Sequence, residues 1–251
     1  MLSAYLAARP ELCRGRRVLE LGAGCGLCSM VASLGGAARV VATDGDAGAV
    51  AHLEDVLRAN DLKLETPPPL KWEEATRDSA KALGAPFDVV LGADLTYNPN
   101  NAIALANALV AHAGPDSTVL LAHKRRVADD DATIAKLGEY FSTETLVAPS
   151  KVAGVAILEL RKRDAKLKNP IPGDATWLTP TERRRLMRHA SPGPTGALFA
   201  GEQLPSNLKD SSEVPAAILH LKDPWPSRGP PPPPGGRGGG RAGAAGGGGA
   251  E

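Results

Sequence analysis

Cysteine and histidine are scarce in this 251-residue chain, at three and five copies. Cys13, Cys25 and Cys28 cannot supply a disulfide framework, and unpaired thiols point to a reducing compartment. Cys25 and Cys28 do form a C-x-x-C. No second pair stands elsewhere, and both fall in and just after a glycine-rich turn, so small loop-filling residues account for them better than a zinc or redox site. No metal is expected. No run approaches the roughly 18 continuous apolar residues of a membrane-crossing helix, and no repeat of roughly 20–50 residues marks a solenoid. Neither sign of charge dominates, since the net charge is +1.

That near-zero balance hides a split. Residues 161–251 carry 14 Lys+Arg against 8 Asp+Glu, whereas residues 1–160 carry 15 against 20. A mildly acidic body with a basic tail is not a nucleic-acid-binding surface. From Asp164 onward lie 14 of the 22 prolines and 15 of the 28 glycines. The chain therefore divides into a foldable domain over 1–163, a Pro-rich, weakly structured extension over 164–223 and a low-complexity tail over 224–251. A short basic helix is expected over Arg183–His189 in the extension, and the tail opens near the run Pro230–Pro234.

Within the first segment, strand and helix patterns alternate. Val18–Leu21 and Ala38–Thr43 read as strands, Leu70–Trp72 as a short third, Phe87–Ala93 as a buried fourth and Thr118–Ala122 as a fifth. Apolar-periodic helices follow from Leu27, through Val50–Leu57, from Asn100 to His112, and from Asp129–Asp131 to Tyr140. Thr143–Ala148 and Val155–Leu160 close the sheet as an antiparallel hairpin. The fold class is α/β, a Rossmann-like seven-strand sheet, mostly parallel, with helices on both faces. Ligands in such sheets bind beyond the carboxyl ends of the strands at the topological switch point.

The candidate chemistry converges there. Glu20-Leu21-Gly22-Ala23-Gly24-Cys25-Gly26-Leu27 is a strand running into a glycine turn and a helix start. Its third glycine comes one residue too early for a dinucleotide fingerprint, and Glu20 suits a ligand carrying an ammonium group rather than a pyrophosphate. Asp44 ends the second strand, where a carboxylate can accept from a ribose diol; Asp46 is the better helix cap. Trp72 either lines a base pocket or packs in the core. Asp94 and Tyr97 leave the fourth strand after Ala93, placed to orient an amine and wall its channel.

The segments E-L-G-A-G-C-G-L, A-T-D-G-D, L-K-W and G-A-D-L-T-Y, in this order and spacing, resemble the protein lysine methyltransferases of methyltransferase family 16, the METTL21-like group, over roughly residues 1–162. The resemblance implies a class I methyltransferase sheet and S-adenosyl-L-methionine as donor. Gly22, Ala23 and Gly24 would face its methionine part, Asp44 its ribose, and Trp72 and Ala93 its adenine side. Asp94 and Tyr97 would match the family's D-x-x-Y element at the substrate entrance. The implied partner is a protein presenting a lysine, with neither membrane nor nucleic acid involved, and the chain is expected to act as a cytoplasmic or nuclear monomer. A histidine side chain or small amine on the same scaffold stays open as acceptor, as does an interaction protein working through its Pro/Gly/Arg tail. Family members carry a longer N-terminal segment with a tryptophan over the cofactor. Here 17 residues precede Val18 and none is tryptophan, so the domain is read as N-terminally short.

Overall fold

The computed structural model describes residues 1–125, 131–149 and 154–164. The expectations for 165–251, including the basic helix and the low-complexity tail, lie outside the described residues. The described chain runs α1 (Leu2–Ala7), β1 (Arg17–Leu21), α2 (Leu27–Leu34), β2 (Arg39–Thr43), α3 (Ala47–Ala59), α4 (Arg77–Ala82), β3 (Phe87–Ala93), α5 (Ala102–His112), β4 (Ala113–Lys124), α6 (Asp131–Leu137), β5 (Phe141–Val147) and β6 (Val155–Lys162).

The strands lie in the order β2-β1-β3-β4-β6-β5. β2, β1, β3 and β4 are parallel to their neighbours, and β4/β6 and β6/β5 pair antiparallel. Both faces of the parallel strands are buried, which is why they read as continuous apolar runs. Period two then sorts the side chains. Val18, Val89, Leu91 and Leu120 pack on one face with Leu2, Leu6 and Val31 of α1 and α2. Leu19, Leu21, Val90 and Leu121 pack on the other with Leu105, Leu109 and Leu137 of α5 and α6. A smaller cluster joins Leu53, Val56 and Leu57 of α3 to Ala42 and Met30.

Register sets the working end. Leu21 of β1 pairs with Thr43 of β2 and with Gly92 of β3, so the three strands run out level with one another. The chain steps from β1 outward to β2 and returns on the other side of β1 as β3, which makes this the switch point. At the opposite end, Phe87 lies under two guanidinium groups, Arg17 and Arg39, at 5.5 and 5.6 Å from the ring centre. Arg39 also pairs with Glu65 and donates to the Leu83 carbonyl.

Two expectations are corrected. Leu70–Trp72 is not a strand: Trp72–Glu74 forms a 3-10 turn, and the sheet has six strands among the described residues. Three successive prolines, Pro67 to Pro69, lack the N–H groups a ladder needs. What remains of the seventh strand is one residue, Glu65, bridging β2 by donating to the Val40 carbonyl and accepting from the Ala42 amide. The helix expected to run from Asn100 starts later, at Ala102. Asn98 accepts from the Asn100 amide to start a 3-10 turn over Pro99–Asn101, and α5 begins after Asn101. The cap expected of Asp46 is present, its carboxylate accepting from the Ala49 amide at 2.8 Å.

Leu53 links α3 to the glycine turn, because its side chain occupies the space a Cβ on Gly26 would need. It is fully buried. Leu53→Ala should therefore lose about 2–5 kcal/mol of stability, read as a lowered urea midpoint at unchanged slope.

Candidate active site

The glycine turn is shaped by three left-handed residues, Gly22, Gly24 and Gly26, with φ of +59°, +54° and +74°. At Gly22 the requirement is also steric, since a Cβ would stand 2.6 Å from Leu95 Cδ2 and 3.5 Å from Trp72 Cζ2. A Cβ on Gly24 would meet no atom within 4 Å, so that side of the turn is open. The Ala23 amide donates to the Thr43 carbonyl at 2.8 Å, tying the turn to the end of β2.

Glu20 is 2% exposed. Its parity in β1 sends its side chain to the α2 side of the sheet, where Oε2 accepts from the Ser29 amide at 2.8 Å and the Ser29 hydroxyl at 2.5 Å. Helix α2 starts at Gly26, which has no side chain to cap the free amides of the first turn. Glu20 supplies that cap from the neighbouring strand. The carboxylate expected to face a ligand's ammonium group holds the helix start through Oε2. Burial dominates its electrostatics and pushes its pKa up to about 7, against the opposing effect of the Ser29 hydrogen bonds.

Asp44 follows β2 directly. Oδ2 accepts from the Gly24 amide and Oδ1 from the Asp46 amide, both at 3.0 Å. One carboxylate thus fixes the middle of the glycine turn and the approach to α3. Each oxygen keeps acceptor capacity for a further donor. The Asp44 carbonyl accepts from the Leu70 amide at 2.8 Å, which draws the Pro-rich segment across the strand ends and sets Trp72 down near Gly22. Trp72 is half-buried and packs on the cluster that contains Leu95.

Ala93 closes β3, and Asp94 turns the chain with φ +62°, a left-handed value that aspartate tolerates better than most residues. The Asp94 amide still reaches the Ala122 carbonyl at 3.0 Å, one step beyond the β3–β4 ladder. Leu95 then folds inward: its Cδ2 sits over Gly22 and its Cδ1 over Gly92, where an added Cβ would stand 2.6 Å away. Tyr97 points the other way and is 55% exposed, the exposed large hydrophobic side chain of the described residues.

The structure therefore brings Gly22, Ala23, Gly24, Asp44, Trp72, Ala93, Asp94 and Tyr97 to adjoining strand ends, with Glu20 immediately beneath. It also adds residues the sequence reading passed over. Thr96 is buried, and its Oγ1 lies 2.7 Å from Nδ1 of buried His123 at the end of β4. His123 Nε2 lies 3.2 Å from Asp131, the first residue of α6. Ser29 was equally unmarked. Strand parity at Glu20 could have found Ser29; nothing local in the sequence pairs Thr96 with His123.

A six-strand mixed sheet of this order, with a glycine turn and an acidic residue at its switch point, defines the S-adenosylmethionine-dependent class I methyltransferase fold. The methyltransferase SibL, solved in its apo form, superposes with a TM-score of 0.50 at 16% identity, over 64% of this chain and 54% of that one. The chain belongs to the family described as lysine methyltransferase, which it matches over residues 1–140. It is 38% identical over 104 residues to the protein-lysine N-methyltransferase EFM3 of Chaetomium thermophilum, covering 39% of this chain and 31% of that protein. It is 32% identical over 134 residues to the protein N-lysine methyltransferase METTL21A of Danio rerio, covering 52% of this chain and 60% of that one. The chain thus spans between about a third and three fifths of the length of these curated relatives.

Glu20 makes stability depend on pH in a defined direction. Its folded pKa of about 7 exceeds the ordinary 4.5, so the folded state holds its proton more tightly and the stabilising contribution fades as pH rises through that window. In urea titrations, Glu20→Gln should gain stability over the parent chain from pH 5 to pH 8 and level off above.

Proposed function

We propose that the chain is an S-adenosylmethionine-dependent N-methyltransferase whose acceptor is a lysine side chain on a protein. The observation that carries this reading is the level row of strand ends, which sets Asp44, the glycine turn and Asp94-x-x-Tyr97 side by side. The two curated relatives described above are named as protein-lysine methyltransferases. The residues fit the donor. The open side of Gly24 admits a ligand against the main chain, and Asp44, already anchored on the Gly24 amide, has acceptor capacity for a sugar diol. Trp72 and Ala93 flank the turn as apolar walls for a base. Glu20 serves the site from below, by holding the first turn of α2 in place.

S-adenosylmethionine supplies an electrophilic methyl group on a sulfonium, and its displacement in line needs alignment more than acid or base strength. This chain's residues supply that alignment. An acceptor lysine has an ordinary pKa of about 10.4, and it must reach the methyl group as the free amine. Desolvation in the channel lowers that pKa, whereas the Asp94 carboxylate raises it. Asp94 therefore captures and orients the amine, and the proton leaves through water. The Tyr97 ring, standing out from the mouth, walls the approach and offers its hydroxyl. The chain acts as a monomer in the cytoplasm or nucleus in this reading.

Calorimetric titration with S-adenosylmethionine tests the donor half: Asp44→Ala should weaken binding about 10–100-fold, the loss of hydrogen bonds to a charged group. A tritiated methyl transfer assay on cell extract tests the acceptor half. Asp94→Ala should keep donor affinity within about twofold and lose at least tenfold in labelled protein; full turnover in that variant removes Asp94 from its role. A folded chain that gives no heat with the donor would point to an interaction protein instead.

A further inference from the structure

We propose that His123 is a positioning residue for the acceptor side of the site: through Thr96 it fixes where Asp94 and Tyr97 stand, and Asp131 in turn fixes His123. The inference rests on reading Asp94-x-x-Tyr97 as the acceptor entrance.

The entrance segment is held at three points as it leaves β3. The Asp94 amide is pinned to the Ala122 carbonyl, and the Leu95 side chain is wedged between Gly22 and Gly92. The third point is Thr96, the residue immediately before Tyr97. Tyr97 is exposed and the described contacts give its ring no fixed neighbour, so its direction is set by the peptide it grows from. Thr96 is 2% and His123 5% exposed, and a buried hydroxyl and imidazole are costly unless they satisfy each other.

An Asp131 carboxylate can only accept, so His123 Nε2 carries the hydrogen and donates to Asp131 Oδ1. In the neutral ring Nδ1 is then a lone pair, and the Thr96 hydroxyl donates to it across 2.7 Å. Asp131 is held on its far oxygen by Arg125, whose Nη2 lies 3.1 Å from Oδ2. The arrangement therefore runs from Arg125 and Asp131 at the start of α6, through the end of β4, to the residue beneath Tyr97. Their action on the reaction passes through the placement of Tyr97 and Asp94. A shift of about 1 Å at such an entrance is enough to cost about 10²-fold in rate.

The 251-residue chain carries three tyrosines, Tyr5, Tyr97 and Tyr140. Labelled with 3-fluorotyrosine, it gives three fluorine resonances, and Tyr97→Phe assigns the one that matters. Thr96→Val, which keeps the volume and removes the donor, should move the Tyr97 line by more than its width and leave Tyr5 and Tyr140 in place. His123→Gln, whose amide reaches only the Nε2 position, should do the same. His123→Asn, whose amide reaches the Nδ1 position but not Asp131, should displace the line less than His123→Gln does. In transfer to cell-extract protein, Thr96→Val and His123→Gln should raise the apparent KM for extract about tenfold, with S-adenosylmethionine affinity unchanged.

A Tyr97 line unmoved in folded Thr96→Val and His123→Gln overturns the proposal, as does an Asn variant no better than the Gln one. Should the buried variants fail to fold, Asp131→Ala decides, because that side chain is half-exposed and its loss leaves the core intact. A parent-like Tyr97 line there overturns the proposal. A displaced line with undiminished transfer upholds the placement and sinks the entrance reading.

Discussion

The working end of this molecule depends on one buried hydrogen-bonded pair, the Glu20 carboxylate and Ser29. Placing a carboxylate at 2% exposure is unfavourable, and its raised pKa of about 7 registers that penalty. It is retained because the helix it serves begins at a residue that cannot cap it. Gly26 stands at φ +74° with Leu53 lying over it, so neither its backbone nor the space around it admits a serine or aspartate. The cap has to come from another element. β1 supplies it, and in doing so locks the glycine turn between a strand and a helix whose relative position is then fixed. Asp44 completes the lock from β2 by holding the Gly24 amide.

From that fixed turn the rest of the site follows by register. Parallel pairing makes β1, β2 and β3 end together, so every residue that follows a strand end arrives in the same layer. The opposite end of the sheet is built differently. There Phe87 lies under Arg17 and Arg39, whose guanidinium groups are spent on backbone carbonyls and on Glu65. Rigid attachment at one end and open loops at the other is the arrangement that lets a scaffold carry chemistry on its loops.

The strand-helix alternation was legible because each parallel strand is buried on both faces and so appears as an unbroken apolar run. The position of Asp44, Asp94 and Tyr97 was legible for the same reason: they directly follow such runs. Leu70–Trp72 misled because its apolar residues suggest a strand, while the three prolines before it remove the donors and leave Glu65 to make the bridge alone. The contact of Glu20 with Ser29 was readable from strand parity, which places that carboxylate on the α2 side. Thr96, His123 and Asp131 could not be read together. Their pairing spans 27 and 8 residues and exists only once β3 and β4 are aligned.

Leu95 gives the site a property that no inventory of its residues conveys. One isobutyl group, in contact range of both Gly22 and Gly92, is shared between the glycine turn and the segment that leads to Tyr97. The turn and the segment are therefore mechanically one part. Substitutions made singly in the glycine turn and in the D-L-T-Y segment will not sum, since each alters the seat of the same side chain. Any attempt to remodel the D-L-T-Y segment while leaving the glycine turn untouched has to begin by rebuilding that seat.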